Sequence, residues 1–259
     1  MTLFNDWCDK KFNDPNNTSL WEVTEKKGGR AAIEKLLYTV VRSHYDDLDR
    51  IADTVNELGY KAAEKILRGR IPQTKKARSG DLGEILATEF AKEEFQFDIP
   101  VKRLRYKDGR EMALRGDDFI GIRYSKKDGL YLLKGESKSR INLTKSTLQE
   151  ARGVLDRDNG RCTPSSLSFV MDRLLESTDP TLQEIGKAVR KELAMDSLKP
   201  DRITHALITL SGNSAVDIIK ADLDSADGSR SQFGVNIFIP DHANFIKLTF
   251  EGVGKLGKS

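Results

Sequence analysis

Cysteine is nearly absent: Cys8 and Cys162 are the only two in 259 residues. They lie far apart and neither belongs to a Cys-x-x-Cys pair, which argues against a disulfide scaffold and a cysteine-based zinc site. Histidine is almost as scarce. His44, His205 and His242 are scattered, and His205 sits inside an apolar run with Ile203, Ala206, Leu207 and Ile208, the setting of a core residue. No Ser/His/Asp grouping, glycine-rich phosphate loop or Walker lysine is apparent, so serine-hydrolase chemistry and unaided ATP hydrolysis find no support. No apolar run approaches membrane length, and the start of the chain carries Asp6, Asp9, Lys10 and Lys11 without an apolar stretch behind them. The expectation is a cytoplasmic protein without a membrane segment. Internal repeats and low-complexity tracts are missing too.

An excess of charge of one sign is also lacking. Forty-three basic residues stand against 40 acidic ones, a formal net charge of +3. The distribution says more than the sum. Lys61, Lys65, Arg68, Arg70, Lys75, Lys76 and Arg78 crowd the segment before Gly80, and Lys102, Arg103, Arg105, Lys107 and Arg110 form a second cluster. Such patches suit a polyanion, although a solvated charged face has the same composition. With 38% hydrophobic and 32% charged residues, the chain has enough apolar material for a core.

Residues 1–28 are polar and turn-rich, with Leu20 and Trp21 as anchors. Ile33, Leu36, Leu37, Val40 and Val41 then recur at helical spacing, Leu48, Ile51, Val55 and Leu58 mark a second helix, and 61–67 a short third. These define an N-terminal helical region, 1–72, joined by a basic loop at 72–79 to a second region, 73–259. That region opens with a helix that Ser79 or Asp81 could cap, with Leu82, Ile85, Leu86 and Phe90 as its buried stripe. Residues 100–106 read as strand, followed by a hairpin over 118–138, helices at 143–156, 166–176 and 181–195, and strands near 203–210, 215–221, 233–239 and 244–250. Both faces of the hairpin are apolar: Ile120, Ile122 and Leu132 on one, Phe119, Tyr131 and Leu133 on the other. Strands of that kind belong inside a covered sheet.

The hairpin carries the chemistry. Gly116-Asp117-Asp118 precedes its first strand and Gly135-Glu136-Ser137-Lys138 ends its second. Alternation puts Glu136 and Lys138 on one face. Asp117 and Asp118 cannot both join them, and the loop decides between them. A three-residue Lys127-Asp128-Gly129 loop pairs Lys126 with Leu130 and sets Asp118 opposite Lys138 on the face of Glu136; a two- or four-residue loop favours Asp117. Two carboxylates and an ammonium at a strand end can hold a hard divalent cation and position water, as phosphodiester hydrolysis requires. A Glu-x-Lys triplet alone is commonplace. At the end of a strand apolar on both faces, an unpartnered Glu136 and Lys138 would cost several kcal/mol.

In order, Ser79-Gly80-Asp81-Leu82-Gly83-Glu84 opening a helix, Gly116-Asp117-Asp118 before a strand and Gly135-Glu136-Ser137-Lys138 ending the next resemble the restriction-endonuclease-like PD-(D/E)xK nuclease core. More narrowly, residues from about 79 onward resemble the HamA family, nuclease subunits of the Hachiman antiphage defence system. The strand motif departs from the superfamily's Pro-Asp, being Gly-Asp-Asp. The resemblance implies an α/β fold with a mixed central sheet flanked by helices, and Mg²⁺, with Mn²⁺ as the alternative, held by Asp118, Glu136 and the Ser137 carbonyl. It makes Lys138 the group that orients water, and gives Glu84 a role through water or a second ion. An ordinary first-turn glutamate, favoured by the helix dipole, remains the other reading of Glu84. On the following helix Lys145, Gln149 and Arg152 form a polar stripe; some nucleases of the superfamily carry a glutamine there, and Lys145 and Arg152 suit phosphates, as do Lys75, Lys76 and Arg78. DNA would be the substrate and the helicase HamB the partner, with 29–70 a docking surface. The competing readings are a non-catalytic DNA-binding or adaptor module on a nuclease-like fold, and a standalone DNA-repair or restriction nuclease.

Overall fold

Short runs rich in β-branched and aromatic residues set four of the strands. The computed structural model, which describes residues 2–14 and 17–256, joins them in one six-stranded mixed sheet. The strands are β1 (Cys8–Asn13), β2 (Thr18–Glu25), β3 (Phe119–Ser125), β4 (Gly129–Arg140), β5 (Ile203–Ser211) and β6 (Gln232–Phe238), in the spatial order β1-β2-β6-β5-β4-β3. The four inner strands, β2, β6, β5 and β4, run parallel, and each edge strand is an antiparallel hairpin partner. β5 is buried at all nine positions, as a strand covered on both faces must be.

Helices cover both faces. On one lie α1 (Leu3–Trp7), α2 (Gly29–Tyr45), α4 (Lys75–Glu94) and α9 (His242–Val253). Their Trp7, Leu37, Phe90 and Phe250 share a core with Leu133, Ile208 and Val235 of the sheet. On the other, α5 (Lys145–Leu155) and α8 (Val216–Ser225) pack Leu148, Leu155 and Ile219 on Leu207. Beside them α6 (Pro164–Leu175) and α7 (Pro180–Met195) set Val170 and Val189 against Ile120, Ile122 and Leu132. Both faces of the hairpin are therefore used, as its pattern required.

The remaining helix, α3 (Leu48–Arg70), is kinked at Gly59, whose φ of +79° separates the two helical stretches expected at 48–58 and 61–67. Leu20 and Trp21 are buried anchors, but on β2, and β1 and β2 extend the sheet formed by residues 119–238. Four local expectations fail. The strands near 215–221 and 244–250 are helices α8 and α9. In α9, Phe245, Ile246, Thr249, Phe250 and Val253 are buried at helical spacing, a period that a short apolar run does not declare. Residues 100–106 are not a strand: 103–106 form a 3₁₀ turn, Arg103–Tyr106, and the neighbouring pairing is one bridge, Asp98 to Ile122. The basic loop at 72–79 is mostly helix: α4 starts at Lys75 because Thr74, rather than Ser79 or Asp81, accepts the capping bond, from the Ala77 amide at 3.3 Å.

Two glycines let the elements around Glu136 close up. A Cβ on Gly135 would lie 2.2 Å from the Phe119 ring, and one on Gly83 of α4 would lie 2.9 Å from the Ser139 Cβ on β4. Gly135→Ala must push Phe119 out of the core and is expected to cost about 1–3 kcal/mol, in line with overpacking of a filled interior. Urea denaturation measures this; in a Phe119→Leu background the loss should shrink.

Candidate active site

The hairpin turn decides what stands beside Glu136. The ladder runs from Ser125↔Gly129 to Phe119↔Gly135. Its even register matches the expectation, but it is displaced by two, so Asp118 is not opposite Lys138. The turn explains the shift: Gly129 takes φ +77°, and the Ser125 hydroxyl donates to Asp128 Oδ2 while accepting the Asp128 amide, closing the loop one residue earlier on each strand. Asp118 sits just past the last pair. Its amide donates to the Gly135 carbonyl at 3.1 Å, and its Oδ2 accepts the Ser137 amide at 2.7 Å and hydroxyl at 2.8 Å.

Asp117 goes elsewhere. Its carboxylate, 1% exposed, accepts the Thr163 amide at 2.8 Å at the start of α6 and lies 3.8 Å from the fully buried Lys134 ammonium. Burial raises the Asp117 pKa and lowers that of Lys134. These contacts pin the entry to β3, which makes Asp117 a support for its neighbour.

A cleft of about 390 Å³ opens between the first turns of α4 and the end of β4. Glu84, Asp118, Ser137 and Lys138 line it; Glu136, 4% exposed, lies behind Lys138 and is ion-paired with it. Burial and the Asp118 charge together push Glu136 up to about 7, with Lys138 opposing. Glu84, half-buried on α4, is raised well above the usual carboxylate range by desolvation and then by Asp118, with Arg103 opposing. Asp118 and Glu84 face the cleft, Glu136 is paired with Lys138 at its wall, and the Asp118 charge disfavours ionisation of both glutamates, a donor set suited to a hard cation. Among the described residues, no group of three or more His, Cys, Asp or Glu side chains is arranged to hold a metal ion as it stands. Ser137 is hydrogen-bonded to Asp118 and Lys138 is paired with Glu136, so both carboxylates would have to exchange those partners for an ion.

Sequence reasoning missed part of the wall. Asp81, one turn before Glu84, accepts two bonds from Lys107 at 2.9 and 3.0 Å and one from the Tyr45 hydroxyl at 2.8 Å. Lys107 stood out only as a member of a basic cluster. Its side chain is in fact buried, and the i, i+3 spacing of Asp81 and Glu84 on a helix was the available signal.

The expected phosphate ligands divide. Lys75 and Lys76 are exposed at the first turn of α4, and Lys76 reaches the cleft. Arg78 is held back, donating to the Pro72 carbonyl at 2.9 Å and lying over the Phe250 ring. Lys145 and Gln149 are exposed on α5 and do not line the cleft. Arg152 is engaged elsewhere, with Nη2 2.6 Å from Asp222 of α8 and Nη1 2.7 Å from Gln232 of β6, so it ties three elements together. Among the described residues, no helix is long and apolar enough to cross a membrane.

Comparison with known proteins adds a family to this geometry. The family model described as HamA matches residues 1–253. A relative described as Hachiman protein HamA, from Bacillus cereus, is 28% identical over 181 residues. That similarity covers 70% of this chain and 62% of the relative, less than two thirds of the relative's length.

Proposed function

The chain belongs to the HamA family, and from that premise we propose that it is a divalent-metal-dependent DNA nuclease acting in a Hachiman antiviral defence system. The observation that carries the reading is one cleft lined by Asp118, Glu84 and Lys138, with Glu136 paired to that lysine and raised to about 7. Buried carboxylates that repel one another are destabilising unless a cation joins them.

In this reading Asp118 and Glu136 hold Mg²⁺ or Mn²⁺, with the Ser137 carbonyl as a third ligand and Glu84 acting through water. The ion would supply Lewis-acid polarisation of the phosphodiester and a more acidic bound water. Lys138, released from Glu136, donates a hydrogen bond that orients the attacking water and then stabilises charge growing on the phosphate oxygens. The Tyr45–Asp81–Lys107 network keeps the first turns of α4 fixed, and with them Glu84. A non-catalytic DNA-binding module would have no use for the buried Glu136–Lys138 pair, which costs more to bury than an apolar pair of the same size. A repair or restriction nuclease working alone would use the same groups. Incubation of the purified chain with plasmid and Mg²⁺ tests the reading; absence of cleavage of any DNA, with or without a partner, would overturn it.

Control by a helicase partner is part of the proposal. The supporting feature is α3, which runs for 23 residues and buries only Ala63 and Leu67 while Leu58, Tyr60 and Ile66 stay exposed. A stable complex needs well over about 1,000 Å² of buried surface, and this face offers apolar anchors for it. The isolated chain is expected to cleave intact duplex, or harm its host, more than the complex does. Leu58→Glu with Tyr60→Glu should release the inhibition. Equal cleavage by free chain and complex would show that the partner does not restrain it.

A further inference from the structure

Beside the cleft runs a second, larger groove, about 860 Å³, bounded by the first turn of α4, the end of β4 and α9. The two hollows share Lys76, Ser139 and Arg140, so a polymer in one passes directly into the other. The groove has cationic walls: Lys75 and Lys76 on one side, Arg140 and Lys247 on the other, with Glu251 the one carboxylate among its lining. Among the described residues Lys75, Lys76 and Arg140 form no ion pair, and Lys247 reaches Glu251 only at 3.9 Å. Unpaired cations facing one another across a trough repel, and a polyanion relieves that repulsion. The floor is different in kind. It carries Ile141, 57% exposed, and the exposed Ala243, with the buried Ile246 beneath them.

We infer that this groove is a track for a single nucleic-acid strand running to or from the Asp118–Lys138 cleft, its phosphates on Lys76, Arg140 and Lys247 and its bases against Ile141 and Ala243. The inference rests on the nuclease reading and deepens it by naming the form of the substrate. Charge alone would suit a duplex or a single strand equally. The apolar floor separates them, because only an unpaired strand can turn base faces onto it, whereas a duplex presents phosphates and sugar at its surface. Among the described residues no Phe, Tyr or Trp lines the groove and the His242 ring is buried, so sequence-tolerant apolar contact, and little base selectivity, is the expected character. The ridge between the two hollows is firmly built. Ser139 Oγ lies 2.9 Å from both Ser79 Oγ and His242 Nε2, and the backbone there is pressed against Gly83 of α4. A strand crossing that ridge would be bent at a fixed point beside Lys138.

The test uses the full chain carrying Lys138→Ala, in EDTA, with fluorescently labelled single-stranded and duplex oligonucleotides read by anisotropy. The chain is expected to prefer the single strand. Adding Lys76→Ala, Arg140→Ala and Lys247→Ala together should raise Kd for the single strand at least tenfold near 0.1 M salt. Losing three phosphate contacts should also flatten the slope of log K against log salt by about 2. Arg140→Lys with Lys247→Arg keeps the charge and should restore most of the binding, which separates loss of contact from loss of fold. Ile141→Asp should weaken the single strand more than the duplex. Unchanged Kd and slope in the triple variant would overturn the track, as would equal losses for duplex and single strand. Retained DNA binding with loss of a co-purified protein would also overturn it, by making the groove a protein-docking site. If the parent chain cuts no DNA while these variants still weaken single-strand binding, the nuclease reading fails and the track stands.

Discussion

Glu136→Ala combined with Lys138→Ala is expected to reduce Mg²⁺-dependent plasmid nicking by at least about 10³-fold, since loss of one preorganised charge-stabilising group alone typically costs 10²–10³. The two changes should not multiply, because the groups act on the same phosphate and either loss disables the arrangement. The fold should survive. Lys138 is partly exposed, and removing both members of a buried pair together leaves no orphaned charge. Thermal melting monitored by circular dichroism, together with retention of any bound partner, establishes that the variant is intact. Nicking at the parental rate would show that the reaction centre lies elsewhere. Asp118→Asn should be nearly as damaging to activity. Asp117→Asn should act instead through stability, since Asp117 is held by the Thr163 amide and faces Lys134.

Glu136→Gln should stabilise the metal-free protein at alkaline pH. The carboxyl rises from 4.5 to about 7 in the folded chain because burial and Asp118 both oppose its charge. A raised carboxylate pKa means that the native state holds the proton more tightly than the unfolded state. This contribution to stability is therefore complete below pH 4.5 and is lost as pH climbs through about 7. The rise corresponds to about 3 kcal/mol at most. In EDTA at pH 8 the glutamine variant, which cannot ionise, should be more stable than the parent by up to that amount. For a chain of this size this is several degrees in Tm. The two curves should converge below pH 4.5. Glu84 is raised as well, but it titrates in both proteins and largely cancels in their difference. Mg²⁺ should then reverse the order, stabilising the parent by mass action and the variant little. A difference in stability that stays flat from pH 4.5 to 8 would mean that Glu136 is ionised throughout and that the site is not poised for a cation.

The elements that packing alone can complete were legible where the apolar period was long. Helices α2, α5, α6 and α7, the two halves of α3 and strands β3 to β6 stand where periodicity put them, and Leu82, Ile85, Leu86 and Phe90 of α4 are all buried. Short apolar stretches were ambiguous. Phe245 to Phe250 alternates well enough for a strand, and only the neighbours it meets, such as Trp7 and Tyr45, make it a helix. The polar start of the chain gave no sign of a sheet edge, because β1 exposes most of its side chains and takes its conformation from pairing with β2.

For the candidate site the division is similar. Chemistry declared itself in the sequence: Glu136 and Lys138 two residues apart at the end of a strand apolar on both faces, an Asp pair at the start of its partner, and Glu84 on a helix, although the helix starts at Lys75 and Glu84 is in its middle rather than in the first turn the sequence suggested. These follow from residue type and from alternation, both properties of the local chain. The register that set Asp118 level with Glu136 instead of Lys138 was decided by the left-handed Gly129 and the Ser125–Asp128 turn. The burial that raises Glu136, the loss of Arg152 to Asp222 and the Tyr45–Asp81–Lys107 support came only from elements distant in sequence meeting in space. Desolvation and through-space charge depend on what surrounds a group, and no local pattern encodes that; it is why the chain could name the carboxylates of this site while only the folded protein set their charge.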